Sequence, residues 1–375
     1  MICPACQQLP RFQRWQSKNF VSVLGQIRLE RAYYYCRHCG HGHQPWEGLL
    51  GLTGQDLTLA ASELTSLAGL LCSFEEASRK VLPKRAGLRL SASTAERTPE
   101  ATGQRRKGHG TAGETLGGFE PWPWSEDNTG QRCAYVSVDA TGVGQQGHKA
   151  AKADGRMAYV GMVFNVREDK PSPARYLAGL YTLEELASQL RRQAGQVGRN
   201  QAQQWIARSD AGAGLEEFMP CYFPQAVCIL DFCHAGEHLH ELAKLWHGGD
   251  AEQGKALGQQ WRHCLKHEGG QALLAVLEGL DLRGRSAAVR EKYRLVTGYV
   301  RNNVHRMDYP CYRAKGWLIG SGPMEAACKT VVGQRLKGTG MRGSEAGADA
   351  VCCLRVLFKS ERDQGEAFWQ TRVAA

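Results

Sequence analysis

The sequence predicts a multidomain α/β protein, and three features of the 375-residue chain support this prediction. Two CxxC pairs lie near the beginning of the chain and enclose strand-like runs. Strand-like and helical patterns follow one another between residues 131 and 235, as in a mixed sheet covered by helices. Residues 236–300 have a helical pattern nearly throughout, which indicates an insertion of helices before the sheet domain ends at 301–375.

The composition is that of a globular protein, and its charge makes nucleic acid the leading candidate for a partner. Hydrophobic residues make up 42% of the chain, and 47 Lys and Arg against 37 Asp and Glu give a formal charge of +10. An excess of cations favours polyanions through phosphate neutralisation, although solubility alone can also explain it. No run reaches 18 apolar residues and the first residues lack an apolar signal core, so we expect a cytoplasmic protein without a membrane partner.

Residues 1–55 have the pattern of a zinc ribbon. Cys3 and Cys6 form one pair, Cys36 and Cys39 form the other, and strand-like runs at 20–24 and 26–35 lie between them. Two tight turns that each present two thiolates satisfy tetrahedral Zn²⁺. Nearby histidines are alternative ligands, and a redox role of the CxxC pairs is less favoured because they occur as a matched set. The other cysteines are expected to be reduced thiols.

Residues 56–107 read as three short helices, at 57–71, 73–82 and 91–103. This pattern fits a helix-turn-helix-like DNA-binding domain, and it fits three-helix packing without a DNA role equally well. The stretch 108–130 is rich in Gly, Pro, Thr and Glu without periodicity, and it reads as a linker.

Three acidic residues are candidates for a catalytic metal site. Asp139 and Asp210 each end a strand-like run, and Glu325 lies in a cationic helix behind a glycine turn. Each has an ordinary explanation, because Asp forms turns and caps and Glu stabilises a helix N-terminus. Together they suit two Mg²⁺ or Mn²⁺ ions about 4 Å apart, which can hold the attacking and leaving oxygens of a phosphodiester displacement.

Four segments carry a resemblance to a known family: IGSGPMEAACK with VGQRLKGTGMR, YVRNNVHRMDYP, SVDAT and LDFCHAGEHL. They resemble the ISKra-type insertion-sequence transposases of bacteria, DDE enzymes with a ribonuclease H-like core. The resemblance runs from the zinc knuckles to Trp369. It implies a core formed by 131–235 and 301–375, cleavage and joining of double-stranded transposon-end and target DNA without a covalent enzyme intermediate, a homo-oligomer, and a place near the bacterial nucleoid.

The resemblance assigns roles to individual residues. Asp139 corresponds to the first metal ligand and Glu325 to the third. Asp210, in SDAGAGL, resembles the second catalytic aspartate of the related Mutator-type transposases, whereas Asp231 and His234 resemble their downstream Asp-x-x-His signature. We therefore predict Asp210 as the second ligand and Asp231 and His234 as supporting residues. The predicted DNA phosphate contacts are basic residues in and after the Glu325 helix: Lys329, Arg335, Lys337 and Arg342.

The sequence also departs from the family and offers rival interpretations. Gly343 stands where the family usually has Trp, Ala140 and Ala211 stand where Gly is frequent, and the family's preceding N-terminal segment is absent, so an N-terminally truncated or inactive DNA-binding copy is an alternative. The run His234-Ala-Gly-Glu237-His238 matches the HxxEH motif of inverzincin metallopeptidases. That interpretation is less favoured because His234 directly follows a strand and because a peptidase does not explain the charge or the zinc ribbon.

Overall fold

A computed structural model describes residues 2–50, 52, 56–147, 155–167, 173–210, 212, 214–248, 250–338, 341–360 and 362–374. The chain divides into two compact units. Unit 1 comprises Met1–Gly117, Val143–Arg156 and Val331–Ala375, and unit 2 comprises Gly118–Gly142 and Met157–Thr330. Unit 1 thus groups the last residues of the predicted 301–375 segment with the first part of the chain.

The strands are β1 Arg11–Ser22, β2 Gly25–Tyr35, β3 Gly42–His43, β4 Cys133–Val143, β5 Arg156–Phe164, β6 Ala174–Gly179, β7 Gln204–Ser209 and β8 Val227–Leu230. The helices are α1 Pro45–Leu49, α2 Leu59–Leu71, α3 Phe74–Glu76, α4 Leu82–Arg85, α5 Ala92–Thr111, α6 Leu183–Gln196, α7 Leu215–Tyr222, α8 Phe232–Trp246, α9 Ala251–Glu268, α10 Gly270–Glu278, α11 Ala287–Asn303, α12 Tyr309–Ala314, α13 Gly322–Ala327, α14 Gln334–Leu336, α15 Glu345–Lys359 and α16 Arg362–Ala374. Ala77–Val81 and Cys328–Gly333 are π-helical, and Arg199–Gln201 and Val304–Arg306 are 3₁₀-helical.

The predicted ribbon hairpin is confirmed as a three-stranded antiparallel sheet in the order β1-β2-β3. Strands β1 and β2 pair along nearly their whole length, and Gly25, with φ of 114°, allows the tight turn between them. The first strand begins nine residues earlier than predicted, at Arg11 instead of residue 20. Much of its outer end is exposed, so the sequence lacks the buried alternation that usually reveals a strand.

The three-helix segment of unit 1 is helical as predicted, but its last helix is longer. Helix α5 runs to Thr111, past the predicted end at 103 and into the predicted linker. Helix α5 packs closely on α15 around Gly103. A Cβ atom added at Gly103 would lie 2.0 Å from the carbonyl oxygen of Ala350, which is closer than two such atoms can approach. Gly103 thus permits close contact between the backbones of the two helices. Helix propensity alone counts this glycine only as a residue that weakens the helix.

Unit 2 contains a five-stranded mixed sheet in the order β6-β5-β4-β7-β8. Strands β5 and β6 are antiparallel, whereas β7 is parallel to both β4 and β8. The predicted succession of three strands, helix, strand, helix and strand is therefore confirmed. In register, Ser137 of β4 lies beside Arg208 of β7, and Arg208 lies beside Ile229 of β8.

Strand β4 does not end at Asp139, as the sequence suggested, but continues to Val143. The burial pattern explains the error. Residues 133–138 are all buried, whereas the four residues that follow are partly or fully exposed, so the apolar signal stops before the strand does. Asp139 consequently lies inside a strand, with strand residues both before and after it.

The helical pattern predicted for residues 236–300 is confirmed, because helices α8 to α11 of unit 2 cover most of this stretch. Helix α8 packs on α9 and α11, and Trp261 of α9 is buried with 2% of its surface exposed. Among the helices that the structure describes, none is long and apolar enough to cross a membrane.

Candidate functional site

The four predicted zinc ligands come together in unit 1. The sulfur atoms of Cys3, Cys6, Cys36 and Cys39 all lie within 4.8 Å of one another. The Sγ atoms of Cys3 and Cys39 are 3.6 Å apart, and those of Cys6 and Cys36 are 3.5 Å apart. A zinc ion with Zn–S bonds of about 2.3 Å requires tetrahedral edges of roughly 3.8 Å. The donors and their spacing therefore fit one Zn²⁺.

The two cysteine turns have the same backbone design. Gln7 follows the first pair with φ of 59°, and Gly40 follows the second pair with φ of 73°. A residue in the left-handed region closes each turn, and backbone bonds from Gln7 to Cys3 and from Gly40 to Cys36 hold it. The backbone N–H of Cys39 lowers the pKa of Cys36 to about 6, whereas, against a backbone bond from Gln8, burial and the three other thiols raise the pKa of Cys6 to about 12.

A second candidate site lies in unit 2, at the edge of the sheet where the parallel strands end. The cavity there has a volume of about 210 Å³. Five acidic side chains line it: Asp139, Asp210, Asp231, Glu237 and Glu325. The other polar residues of its lining are Ser137, Arg208, Ser209, His234 and Ser321. The three predicted metal ligands and both predicted supporting residues thus face one cavity.

Strand register explains why the three aspartates meet. Ser137 and Arg208 are neighbours on parallel strands, and Asp139 and Asp210 each follow two residues later. Arg208 is likewise paired with Ile229, two residues before Asp231. The backbone N–H of Asp231 also bonds the carbonyl of Ser209, 3.3 Å away. Three adjacent parallel strands therefore present one aspartate each at the same level of the sheet.

Asp139 is partly buried, and its carboxylate is held on two sides. One oxygen accepts a 2.7 Å bond from the backbone of Ala140, and the other lies 3.4 Å from the thiol of Cys328. Burial raises the pKa of Asp139, and the charges of Asp210 and Asp231 raise it further. Such mutual repulsion is what a bound cation removes, so the environment of Asp139 suits a metal ligand.

Asp210 and Asp231 differ in their local hydrogen bonds. Asp210 is half-buried, and its Oδ1 accepts only a 3.2 Å bond from the backbone of Gly212 among the contacts of described residues. Asp231 is buried, and its Oδ1 caps helix α8 by accepting bonds from Cys233 at 2.7 Å and His234 at 3.2 Å. The capping role is the ordinary use of Asp after a strand. It leaves Asp210 as the aspartate with more freedom to bind a cation.

Glu325 is placed by the turn that precedes it. Pro323 lies in the first turn of α13, and the backbone N–H of Glu325 bonds the carbonyl of Ser321 at 2.9 Å. The side chain is exposed, and one of its oxygens accepts a hydrogen bond from the Ser321 hydroxyl. The helix starts at Gly322, two residues before Met324, where the sequence pattern suggests its start.

The donor chemistry of this cavity fits hard divalent cations, since carboxylate oxygens are the ligands that Mg²⁺ and Mn²⁺ prefer. In the part of the chain that the structure describes, the four cysteines are the only set of three or more His, Cys, Asp or Glu ligand atoms within 4.8 Å of one another. The acids are therefore spaced more widely than ligands of one ion. A pair of ions shares such a set by dividing the acids between them.

The placement of His234 corrects one argument from the sequence. His234 does not precede the helix but lies inside α8, so His234 and His238 are one turn apart with ring centroids 4.7 Å from each other. The strand ends at Leu230, and Asp231 alone forms the connection, which is shorter than expected. The HxxEH motif thus lies on one helix, as the peptidase interpretation requires.

The four predicted DNA contacts are not alike. Lys329, Lys337 and Arg342 are exposed, the first in unit 2 and the other two in unit 1. Arg335 is buried, its Nε donates a 2.7 Å bond to the carbonyl of Gly69, and its guanidinium lies 4.4 Å from the ring of Phe74. Arg335 therefore stabilises the packing of unit 1, and we remove it from the proposed phosphate contacts.

Sequence reasoning missed three residues of the acid cavity or its border: Ser137, Arg208 and Cys328. Ser137 and Arg208 each precede a predicted aspartate by two positions on a strand, so alternation places them on the same face. The two-residue spacing in the sequence was therefore enough to predict both residues. Cys328 lies three residues after Glu325, and only the fold shows that its thiol reaches Asp139.

Comparison with protein-family models finds no match, and comparison with curated proteins finds none either.

Proposed function

We propose that this protein is a DDE transposase that cuts transposon-end DNA and joins it to target DNA with two Mg²⁺ or Mn²⁺ ions. One observation carries the proposal: aspartates at one level of three adjacent parallel strands share a cavity with a glutamate from a helix. Asp139, Asp210 and Glu325 would hold the ions. The ions would activate the attacking oxygen and stabilise the leaving one.

The residues around the acids have roles in this proposal that do not depend on the ions alone. Asp231 fixes the start of α8 and thereby positions His234 at the cavity. Ser321 orients Glu325 through its hydroxyl. The thiol of Cys328 holds one oxygen of Asp139 in place. Preorganised carboxylates bind cations without first losing side-chain freedom, which favours catalysis.

Two further features support DNA as the substrate. The formal charge of +10 suits a polyanion, and the four-cysteine cluster supports the zinc ribbon, a module that needs the metal for its own stability. The mixed sheet with its two parallel crossovers supports a ribonuclease H-like core with a helical insertion. A homo-oligomer that holds two transposon ends completes the proposal.

The direct test is incubation of the purified protein with DNA that contains the ends of its element, with Mn²⁺ or Mg²⁺. We expect a nick at the element end that releases a 3′-hydroxyl, and strand transfer when target DNA is present. Binding of the end sequence without any nick under either metal would favour the inactive DNA-binding alternative.

A metallopeptidase remains the second candidate because His234, Glu237 and His238 share helix α8. The Nδ1 atom of His234 lies 3.7 Å from a carboxylate oxygen of Glu237, so two residues of the HxxEH motif are in contact with each other. Zinc-dependent digestion of casein that is lost in His238→Ala but kept in Asp139→Asn would establish this alternative.

Substitution by cysteine distinguishes the two candidates for the second metal ligand. Asp210→Cys should lose Mg²⁺-dependent cleavage and regain part of it with Mn²⁺, which tolerates softer ligands. Asp231→Asn should keep its helix cap and reduce cleavage about 10- to 100-fold with either metal, as expected for a residue that orients others. Cleavage assays with both ions measure this. Rescue of Asp231→Cys by Mn²⁺, together with nearly normal activity of Asp210→Asn, would reverse the assignment.

Replacement of the exposed basic residues tests the proposed phosphate contacts. Lys329→Gln and Arg342→Gln should weaken binding of all DNA sequences alike, and each should reduce the salt slope by about one contact. Binding titrations over a range of salt concentrations measure both effects. Lys359→Gln, in the last turn of α15, is the matched control and should retain the parent slope. Loss of sequence preference with an unchanged slope would contradict the prediction.

A further inference from the structure

Arg208 is a buried cation beside the acid cavity that the proposed chemistry does not use. Only 2% of its surface is exposed, and it lines the cavity together with the four acids of the strand ends and α13. Its Nε and Nη1 atoms have no hydrogen-bond partner among the described residues. The ring of Phe164 lies 5.9 Å from the guanidinium carbon, near the outer limit of a cation–π contact.

A second buried arginine of unit 2, Arg306 in the 3₁₀-helical turn Val304–Arg306, has better hydrogen-bond partners. Its Nε likewise has no partner among the described residues, but its Nη2 donates to both the carbonyl and the hydroxyl of Ser209, at 3.2 and 2.8 Å. Arg306 is thus stabilised by oxygens, whereas Arg208 depends on the charges of the cavity.

A buried charge without a partner is strongly destabilising unless an opposite charge compensates it. Burial lowers the pKa of Arg208, and the carboxylates of Asp231 and Glu325 oppose that effect. Asp231 is itself buried, and only its Oδ1 is engaged in the cap of α8. Of the five acids that line the cavity with Arg208, Asp231 is the buried one, so water screens its charge least and it is the natural counter-charge of Arg208.

We propose that Arg208 is a positioning residue that serves as the internal counter-cation of the acid cavity, offsetting Asp231 and weakening the binding of divalent ions. This inference rests on the proposed function. The five acids that line the cavity, together with Arg208, leave an excess of four negative charges, which two divalent ions balance. Without Arg208 the excess would be five, so the cavity would hold divalent ions more tightly.

The first experiment needs no added divalent ion and leaves the structural zinc in place. Arg208→Met should lower the melting temperature by about 5 °C, because it leaves Asp231 uncompensated. Asp231→Asn retains a helix cap, and in the Arg208→Met background it should recover most of the loss. A packing role for Arg208 predicts instead that the two losses add, and additive losses would overturn the proposal. If Arg208→Met does not fold, recovery of folding in the double variant supports the proposal and its failure overturns it.

The second experiment uses Mn²⁺ alone as the probe. Arg208→Met should bind Mn²⁺ about tenfold more tightly than the parent, and Mn²⁺ should raise its melting temperature more. Arg208→Lys keeps the charge and should resemble the parent. Arg175→Met is the matched control, since Arg175 is a fully buried arginine of β6 that bonds Gln196 away from the cavity. It should be destabilised without a larger response to Mn²⁺.

The two experiments separate this inference from the function on which it rests. Equal Mn²⁺ affinity in Arg208→Met and the parent overturns the inference and leaves the transposase proposal intact. Absence of Mn²⁺ binding in both proteins would overturn the metal site and the effect of Arg208 on metal binding. The melting temperatures of Arg208→Met, Asp231→Asn and the double variant, measured without added metal, would still decide whether Arg208 compensates Asp231.

Discussion

Asp139→Asn is expected to abolish Mn²⁺-dependent DNA cleavage while DNA binding persists. The substitution keeps the shape of the side chain and its bond to the backbone of Ala140 but removes the charge that a divalent ion requires. Loss of several kcal/mol of transition-state stabilisation corresponds to a decrease of roughly a thousand-fold or more in rate. Nicking of end-containing DNA, measured beside a binding titration of the same protein, provides both readouts.

Asp250→Asn is the matched control for this experiment. Asp250 caps helix α9 through bonds to Glu252 and Gln253, and asparagine caps helices equally well. Its cleavage rate should equal that of the parent. A normal rate in Asp139→Asn would show that the acid cavity is not the catalytic site, and parallel loss of DNA binding would show that the substitution disturbs more than a metal ligand.

Replacement of Cys36 and Cys39 by alanine is expected to remove the structural zinc and to unfold the ribbon. The parent should contain about one equivalent of Zn²⁺, because a tetrahedral four-thiolate site holds one ion. Zinc binding to such modules contributes about 10 kcal/mol or more to their folding, so two thiolates cannot retain either the metal or the fold. Elemental analysis and limited proteolysis of residues 2–50 measure the two losses.

Cys221→Ala and Cys311→Ala control for the loss of a thiol as such. Both cysteines are exposed and lie outside the four-cysteine cluster. Each variant should retain a full equivalent of zinc and the proteolysis pattern of the parent. Persistence of zinc in Cys36→Ala, Cys39→Ala would contradict the ligand assignment.

The sequence predicts most of the elements of unit 2 because burial on both faces leaves a strong signal. The cores of β4 and β7 are continuous buried runs, and the helices between them carry clear apolar periodicity. Boundaries fail where that signal ends before the element does, as in the exposed end of β4 after Asp139 and at the exposed start of β1. The exposed half of an element is fixed by partner strands that a local pattern does not show.

The residues of the candidate sites were likewise predictable only where the local sequence carries the signal. The cysteine ligands are predictable because their spacing along the chain already encodes a chelating turn. Asp139 and Asp210 are found from strand-like runs that stop at them, although β4 in fact continues past Asp139. Their proximity depends on the register between β4 and β7, which the sequence does not show. The burial of Arg335 could not be predicted from the sequence, because its bond to Gly69 joins residues 266 positions apart. A charge on a helix has the same appearance in the sequence whether it faces solvent or the core.

The acid cavity is assembled from chain segments that emerge from the ribosome at very different times. The ribbon and the strands with the three aspartates come first, the helices α8 to α12 follow, and Glu325 comes only with α13. Domains fold in the order of synthesis, so the four-cysteine cluster is in place before Glu325 has been made. The acid cavity is therefore incomplete until translation has passed residue 325.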